Sequence, residues 1–244
     1  MDFIANFTER FYLNFIKDDR WMYIADGLKV TLTVTFFSVL IGIVLGFIIA
    51  LIRATYDRTG KKIFRWDGFG DFALWFFNLI SKLYLTVIRG TPVVVQLLII
   101  YFVIFASVDV DKVVVAVIAF GINSAAYVAE IFRSGIMSID IGQMEAGRSL
   151  GFNYWQTMCH IILPQAFKNV LPTLGNEFIV LLKETSVAGY IALQDLTKGG
   201  DIIRSRTYDA FFPLISVAII YLVMVMIFTK LVSMLERRLQ QSER

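Results

Sequence analysis

Asn176 and Glu177 stand in the middle of an otherwise apolar stretch, and Lys183, Glu184, Thr185 and Ser186 close it. Charged and amide side chains are expensive inside a membrane span and functional there by default. These six residues therefore mark a candidate path for a polar substrate or an ion. Glu177 could meet an amino group, and Asn176 an amide or a carboxylate. The competing reading makes Glu177 a strut between helices, paired with Lys183 or with a base of another subunit. Thr185 and Ser186 either cap the stretch or line its mouth. Glu130 and Arg133, close to the end of a second apolar stretch, suit a structural pair or a gate. Arg89, Thr91, Gln96 and Tyr127 are further polar candidates for the same role.

Other chemistries find little material. Cys159 and His160 are adjacent, but one cysteine makes no internal disulfide, and one Cys with one His makes no metal cluster. An intramembrane enzyme would need a nucleophile, base or metal constellation in a span, which a solitary His160 does not supply. No G-x-x-x-x-G-K-[ST] loop cradles nucleotide phosphates, because KGGDIIRSR (198–206) lacks both the spacing and the lysine. No catalytic residue, metal or cofactor is therefore expected on this chain. The net charge of +3 is too small to suggest a nucleic-acid partner.

The elements that must position these residues are membrane helices. Of the 244 residues, 57% are hydrophobic and 18% charged, against about a quarter charged in soluble domains. The runs 28–52 and 211–235 each exceed the roughly 20 apolar residues needed to cross a bilayer core. The first 27 residues carry charges every few positions, so no secretory signal is expected and the first span inserts the chain. Spans are expected at about 25–52, 86–107, 112–132, 169–187 and 209–235. The third and fourth carry small and polar residues and should face other helices or a cavity. The last is apolar nearly all round and should be peripheral.

Positive charge sets orientation. With the N-terminus outside, cytoplasmic segments hold 14 Lys and Arg and external segments hold 7. The expectation is an external segment 1–24, a membrane domain 25–236 and a cytoplasmic tail 237–244. One further segment, 71–89, is apolar enough to be a sixth span. On a helix of about 100° per residue, however, its Asp71, Asn78, Lys82 and Arg89 fall on one stripe. That suits a helix lying in the membrane interface, beside the basic run RATYDRTGKKIFR (53–65), which suits anionic lipid. An interfacial elbow followed by a break at RGTP (89–92) is preferred to two crossings.

Segment 138–166 lies in the cytoplasm in this topology and reads as helix–turn–helix. Asp140 with Gln143, and Asn153 with Gln156, have the spacing of reciprocal helix caps. Gly151 sits where the first helix needs a left-handed residue, and Pro164 marks the end of the second helix or a redirection. Glu145, Ala146 and Gly147 would present a small-residue surface to another protein's backbone, or merely pack against the neighbouring helix.

The run resembles the EAA loop of permease subunits in bacterial ATP-binding cassette importers. That pattern is E-A-A, three residues, Gly, nine residues, then I-x-L-P. Here Glu145-Ala146-Gly147 is followed by Gly151 and by Ile161-Ile162-Leu163-Pro164 at matching spacing, with Gly147 in place of the second alanine. The segments GLKVTLTVTFFS (27–38), IRGTPVVVQLL (88–98), NSAAYVAEIFRSGI (123–136) and LLKETSVAGYI (181–191) look like the polar amino acid branch. The resemblance covers about 25–236. It implies an all-α type I importer-like fold: five transmembrane helices, an interfacial elbow helix and a cytoplasmic coupling helix. It also implies a multi-pass protein of the bacterial inner membrane, N-terminus outside and C-terminus in the cytoplasm.

Its implied partners are an ATPase dimer carrying ATP and Mg, a second permease copy or paralogue, an extracellular substrate-binding protein and a polar amino acid. Coupling to the ATPase would fall to Gln143, Glu145, Ala146, Gly147, Ser149, Leu150, Gly151, Ile161, Leu163 and Pro164. The alternative is a subunit of an ion-coupled secondary transporter using Glu177, Lys183 and Glu184. That class normally shows internal repeats or matched broken spans, and neither is clear here. A scaffold or receptor that couples to an ATPase without passing substrate is the remaining rival.

Overall fold

The computed structural model describes residues 2–59 and 69–241, and among them only helices and their connections occur. In chain order these are α1 (Asp2–Phe11), α2 (Trp21–Thr59), α3 (Phe69–Gly90), α4 (Val93–Ile99), α5 (Lys112–Met137), α6 (Ile141–Ser149), α7 (Tyr154–Thr157), α8 (Leu163–Glu184), α9 (Leu196–Thr207) and α10 (Phe211–Gln241). Wide π-helical turns occupy Tyr12–Ile16, Ile100–Ile104 and Met158–Ile162, and tighter 3-10 turns occupy Lys17–Asp19 and Thr185–Ile191. The basic residues of 60–65 and the last three of the tail lie outside the described residues.

Among the described residues, four helical stretches are long and apolar enough to cross a membrane: 21–58, 70–90, 112–137 and 211–239. The expected spans 25–52 and 112–132 fall inside two of them, and 209–235 overlaps a third from residue 211 on. The span expected at 86–107 needs correction. The helix before it runs on to Gly90 and breaks at Thr91–Pro92. The apolar helix that follows, Val93–Ile104, is about 18 Å long at 1.5 Å per residue, short of a bilayer core. A proline disfavours helix at the residue before it, so the RGTP break falls where expected while the long helix lies ahead of it. The expected span 169–187 begins within α8, whose 22 residues reach about 33 Å.

The polar stripe of α3 faces its neighbours. Asn78 is buried and accepts a hydrogen bond from Arg53 Nη1 at 3.2 Å, and the Lys82 ammonium lies 5.8 Å from the Tyr56 ring centroid. Most large apolar side chains of this helix are exposed, among them Phe76, Phe77, Leu79, Leu83 and Val87, while Lys82 and Arg89 at the edge of the stripe are exposed as well. A helix bathed in lipid disposes of its polar groups in this way, against other helices.

The chain divides into two compact units, one of 1–38, 93–120 and 178–230, the other of 39–92, 121–177 and 231–244. In the first, Leu182, Leu196, Ile203 and Phe212 centre an apolar cluster. Asp209 ties α1 to the turn before α10: Arg10 donates to both its oxygens at 3.0 and 2.8 Å, and Asn14 Nδ2 donates at 2.9 Å. In the second unit α2 and α5 pack at close range. A methyl group on Gly46 would lie 2.8 Å from the Val128 side chain, and one on Gly121 2.9 Å from Ile41. Small residues allow such approach where water supplies no hydrophobic drive. Burial follows: 61% of the most apolar window of α5 is buried against 22% in α10, as expected for an inner and a peripheral span.

Candidate functional site

Between α5 and α8 the chain folds into a helical hairpin whose local causes can be traced. Asp140 caps α6 by accepting from the Gly142 amide at 2.6 Å. The reciprocal arrangement expected with Gln143 is absent because the carboxylate takes the second free amide, not the third. Asn153 forms the full box: its Oδ1 accepts from the Gln156 amide at 2.9 Å, and Gln156 Oε1 accepts from its own amide at 2.8 Å. Gly151 has φ +89° with open space where a Cβ would stand, so backbone conformation alone demands glycine there.

Gly147 has a different role from the one its position suggests. It is buried, and a methyl group on it would lie 2.5 Å from Thr157 Cγ2 and 3.0 Å from Ile161 Cδ1. Its smallness lets α6 lie against the second arm of the hairpin and opens no surface to another protein. The outward surface consists of Gln143, Glu145, Ala146, Ser149 and Leu150, all exposed, with Leu150 at 77% and Trp155 nearby at 55%. Ile161 and Leu163 pack from the inner side onto a buried cluster that includes Ile136, Met158 and Ile162.

Pro164 does not end the second helix. The backbone stays helical from Tyr154 to Glu184, and Pro164 is the second residue of α8. A proline has no N–H to donate back along the helix. The wide turn just before it, where the Leu163 amide donates to Met158 O, takes up that disruption. The hairpin's second arm is thus one helical run with α8.

The same unit holds a polar cavity of about 480 Å³ lined by Arg89, Tyr127, Glu130, Ser134, Asn169 and Glu177 among others. Ser124 Oγ donates to Glu177 Oε1 at 3.1 Å, joining α5 to α8. Arg133 Nε donates to both Glu130 oxygens at 3.2 Å, its Nη2 also bonds Glu130, and its Nη1 reaches Asp57 Oδ2 at 3.2 Å. The Arg89 guanidinium lies 5.6 Å from the Tyr127 ring centroid, within reach of a cation–π attraction.

The remaining candidates are placed elsewhere. Asn176 is exposed and does not line this cavity. Lys183, Glu184, Thr185 and Ser186 belong to the other unit. Thr185 is buried and donates to the Leu182 carbonyl at 2.8 Å. Ser186 lines a cavity of about 370 Å³ with Tyr190, Thr197, Lys198 and Asp201. Thr91 Oγ1 donates back to Val87 O at 2.8 Å, and Gln96 is buried within α4.

Residues 69–241 match the family described as the binding-protein-dependent transport system inner membrane component. The chain belongs to this family. It is a multi-pass membrane permease subunit with an all-helical fold of the kind seen in type I importers. This inner membrane component is 37% identical over 223 residues to the arginine transport system permease protein ArtQ of Bacillus subtilis (strain 168), covering 91% of this chain and 94% of that one. It is 34% identical to the glutamine transport system permease protein GlnP of Escherichia coli (strain K12), covering 88% and 92%. Among solved structures, an amino acid ABC transporter crystallised with histidines shares 44% identity and a TM-score of 0.75, covering 88% of this chain and 94% of that one. A chain of the MetNI methionine ABC transporter in an inward-facing conformation shares the fold at 17% identity, with a TM-score of 0.74 and coverage of 91% and 99%.

Four residues around the permease's site escaped the sequence reading. Asp57 completes the Glu130–Arg133 pair. Arg58 Nη2 donates to the Ile136 and Ile139 carbonyls at 2.7 and 3.2 Å, holding the end of α5. Tyr154 donates to Thr55 Oγ1 at 3.4 Å, fastening α7 to α2. Asp57, Arg58 and Thr55 fall in the run 53–65, whose basic character suits anionic lipid, and Tyr154 lies within the second predicted cap box with no signal of its own.

Proposed function

We propose that this chain is the membrane-spanning subunit of an ATP-driven importer that moves a polar amino acid received from an extracellular binding protein. The observation that carries this reading is the family match, which runs through the hairpin and α8, together with the close relatives named for arginine, glutamine and amino acid transport. ATP and its Mg would be held by a separate ATPase dimer. The outward hairpin surface of Gln143, Glu145, Ala146, Ser149 and Leu150 would seat in that partner. A second permease, identical or paralogous, would complete the membrane core, with the N-terminus outside and the C-terminus in the cytoplasm.

In this reading the chain's chemistry is positional. ATP supplies the energy on the partner chain. The hairpin moves as one body with α8, because the helix between them is unbroken. Glu177, on α8, then changes its surroundings in the polar cavity as the partner closes, and its carboxylate offers an acceptor for a substrate amino group. Rigid packed elements of this kind transmit displacement without deforming.

The test is uptake of labelled arginine, glutamine and glutamate by the assembled transporter in sealed vesicles, with ATP inside and binding protein outside. Uptake should require both. Glu177→Gln should lower arginine transport more than glutamine transport. Uptake that survives ATP removal at a constant ion gradient overturns the importer assignment. An unchanged preference among the three substrates removes Glu177 from the substrate path.

A further inference from the structure

A cleft of about 580 Å³ between α2, α3 and α5 is lined by Arg53, Lys82, Thr86, Arg89 and Glu130, with Leu85 and Gly90. Three cations thus face one carboxylate, and that carboxylate is already bridged to Arg133. No ion pair among the described residues takes up Arg53, Lys82 or Arg89. Arg53 spends Nη1 on Asn78, and its buried Nε has no acceptor among the described residues. A concave cationic site with spare donors fits a phosphate or another compact anion.

The route into the cleft narrows the choice. Lys82, Thr86 and Gly90 line it at intervals of four on α3, and the neighbouring positions Leu79, Leu83 and Val87 repeat the same spacing. Those three are 49%, 65% and 50% exposed. Residues four apart stack along one helix face, so a polar strip and an apolar strip run side by side. A molecule with an anionic head and a long hydrocarbon chain meets both at once, whereas a free anion would use the polar strip alone.

We propose that this cleft is a binding site for an anionic phospholipid, its phosphodiester held by Arg53, Lys82 and Arg89 and one acyl chain lying along Leu79, Leu83 and Val87. Basic pockets between membrane helices bind such headgroups on general electrostatic grounds.

The test is native mass spectrometry of the assembled transporter with dioleoylphosphatidylglycerol or dioleoylphosphatidylcholine, with and without excess inorganic phosphate. The anionic lipid should be retained in preference to the zwitterionic one. Lys82→Gln, at an exposed position, and Arg53→Gln should each weaken retention about fivefold, the scale expected for one cation near an anionic headgroup. Lys29→Gln, a charge-matched control at a residue that does not line the cleft, should not. Equal retention of the two lipids, or equal loss with the Lys29 control, overturns the site. Displacement by inorganic phosphate overturns the lipid assignment in favour of a free-anion site.

Discussion

Single residues in the hairpin separate two meanings of small. Gly147 is small because Thr157 and Ile161 press on it, whereas Ala146 and Glu145 face outward. Gly147→Val should therefore destabilise the permease itself, by about 1–3 kcal/mol as overpacking does. Glu145→Arg, at an exposed site, should change stability by no more than about 0.5 kcal/mol yet reduce co-purification of the ATPase. Thermal melting of the isolated permease and pull-down of the partner distinguish them. A Glu145→Arg protein that melts early, or that keeps its partner with uptake intact, would remove the docking assignment. At this scale the sequence was most legible where the cause was local. The Asn153–Gln156 box and the left-handed Gly151 depend on a handful of neighbouring residues. Gly147 depends on a second arm ten residues away, and spacing alone could not say which side of the helix it faced.

Elements carry their own electrostatics, and α9 shows it with two carboxylates. Asp195, 1% exposed, caps the helix by accepting from the Thr197 and Lys198 amides at 3.2 and 3.0 Å. Burial nevertheless raises its carboxyl above the ordinary value, outweighing those hydrogen bonds. On Asp201, hydrogen bonds from Lys198 and Arg204 hold the carboxyl below the ordinary value. A raised folded pKa means that the folded state binds the proton more tightly than the unfolded state does. Asp195 therefore stabilises below the ordinary carboxylate range, and that contribution is lost as pH rises through its raised value. The sign for Asp201 is opposite: its contribution is present above the ordinary range and is lost as pH falls through its lowered value. Asparagine caps as well as aspartate and carries no charge to desolvate. Asp195→Asn should thus melt higher than the parent at neutral pH, and the gap should close toward pH 4. A gap that is absent or widens on acidification would refute the role of burial. The α7–α8 junction was less legible: Pro164 has the residue type of a terminator, and the π-turn that carries the helix past it has no motif of its own.

Across the molecule, one compact unit contains both the hairpin and the polar cavity, and the end of α2 joins them. Tyr154 and the cluster around Met158 and Ile162 fasten the hairpin to Ala54 and Thr55. Two residues on, Asp57 holds Arg133, whose other partner Glu130 lines the cavity. A displacement of the hairpin thus reaches the cavity wall through packed side chains and one ion pair as well as along α8. The bulk of this architecture was readable, since apolar runs and basic loops set out the membrane helices. The linkage was not, because its residues lie as far as 99 positions apart, and charge near a span end reads equally well as solvated. Asp57→Asn tests the link with almost no change in shape. The ion pair is partly exposed, with side chains about a quarter accessible, so the loss of stability should stay near the 0–1 kcal/mol of surface pairs. The ATPase should still assemble and hydrolyse ATP, while fewer amino acids enter per ATP consumed. Counting both in the same vesicles decides it: an unchanged ratio would mean that the movement reaches the cavity along α8 alone.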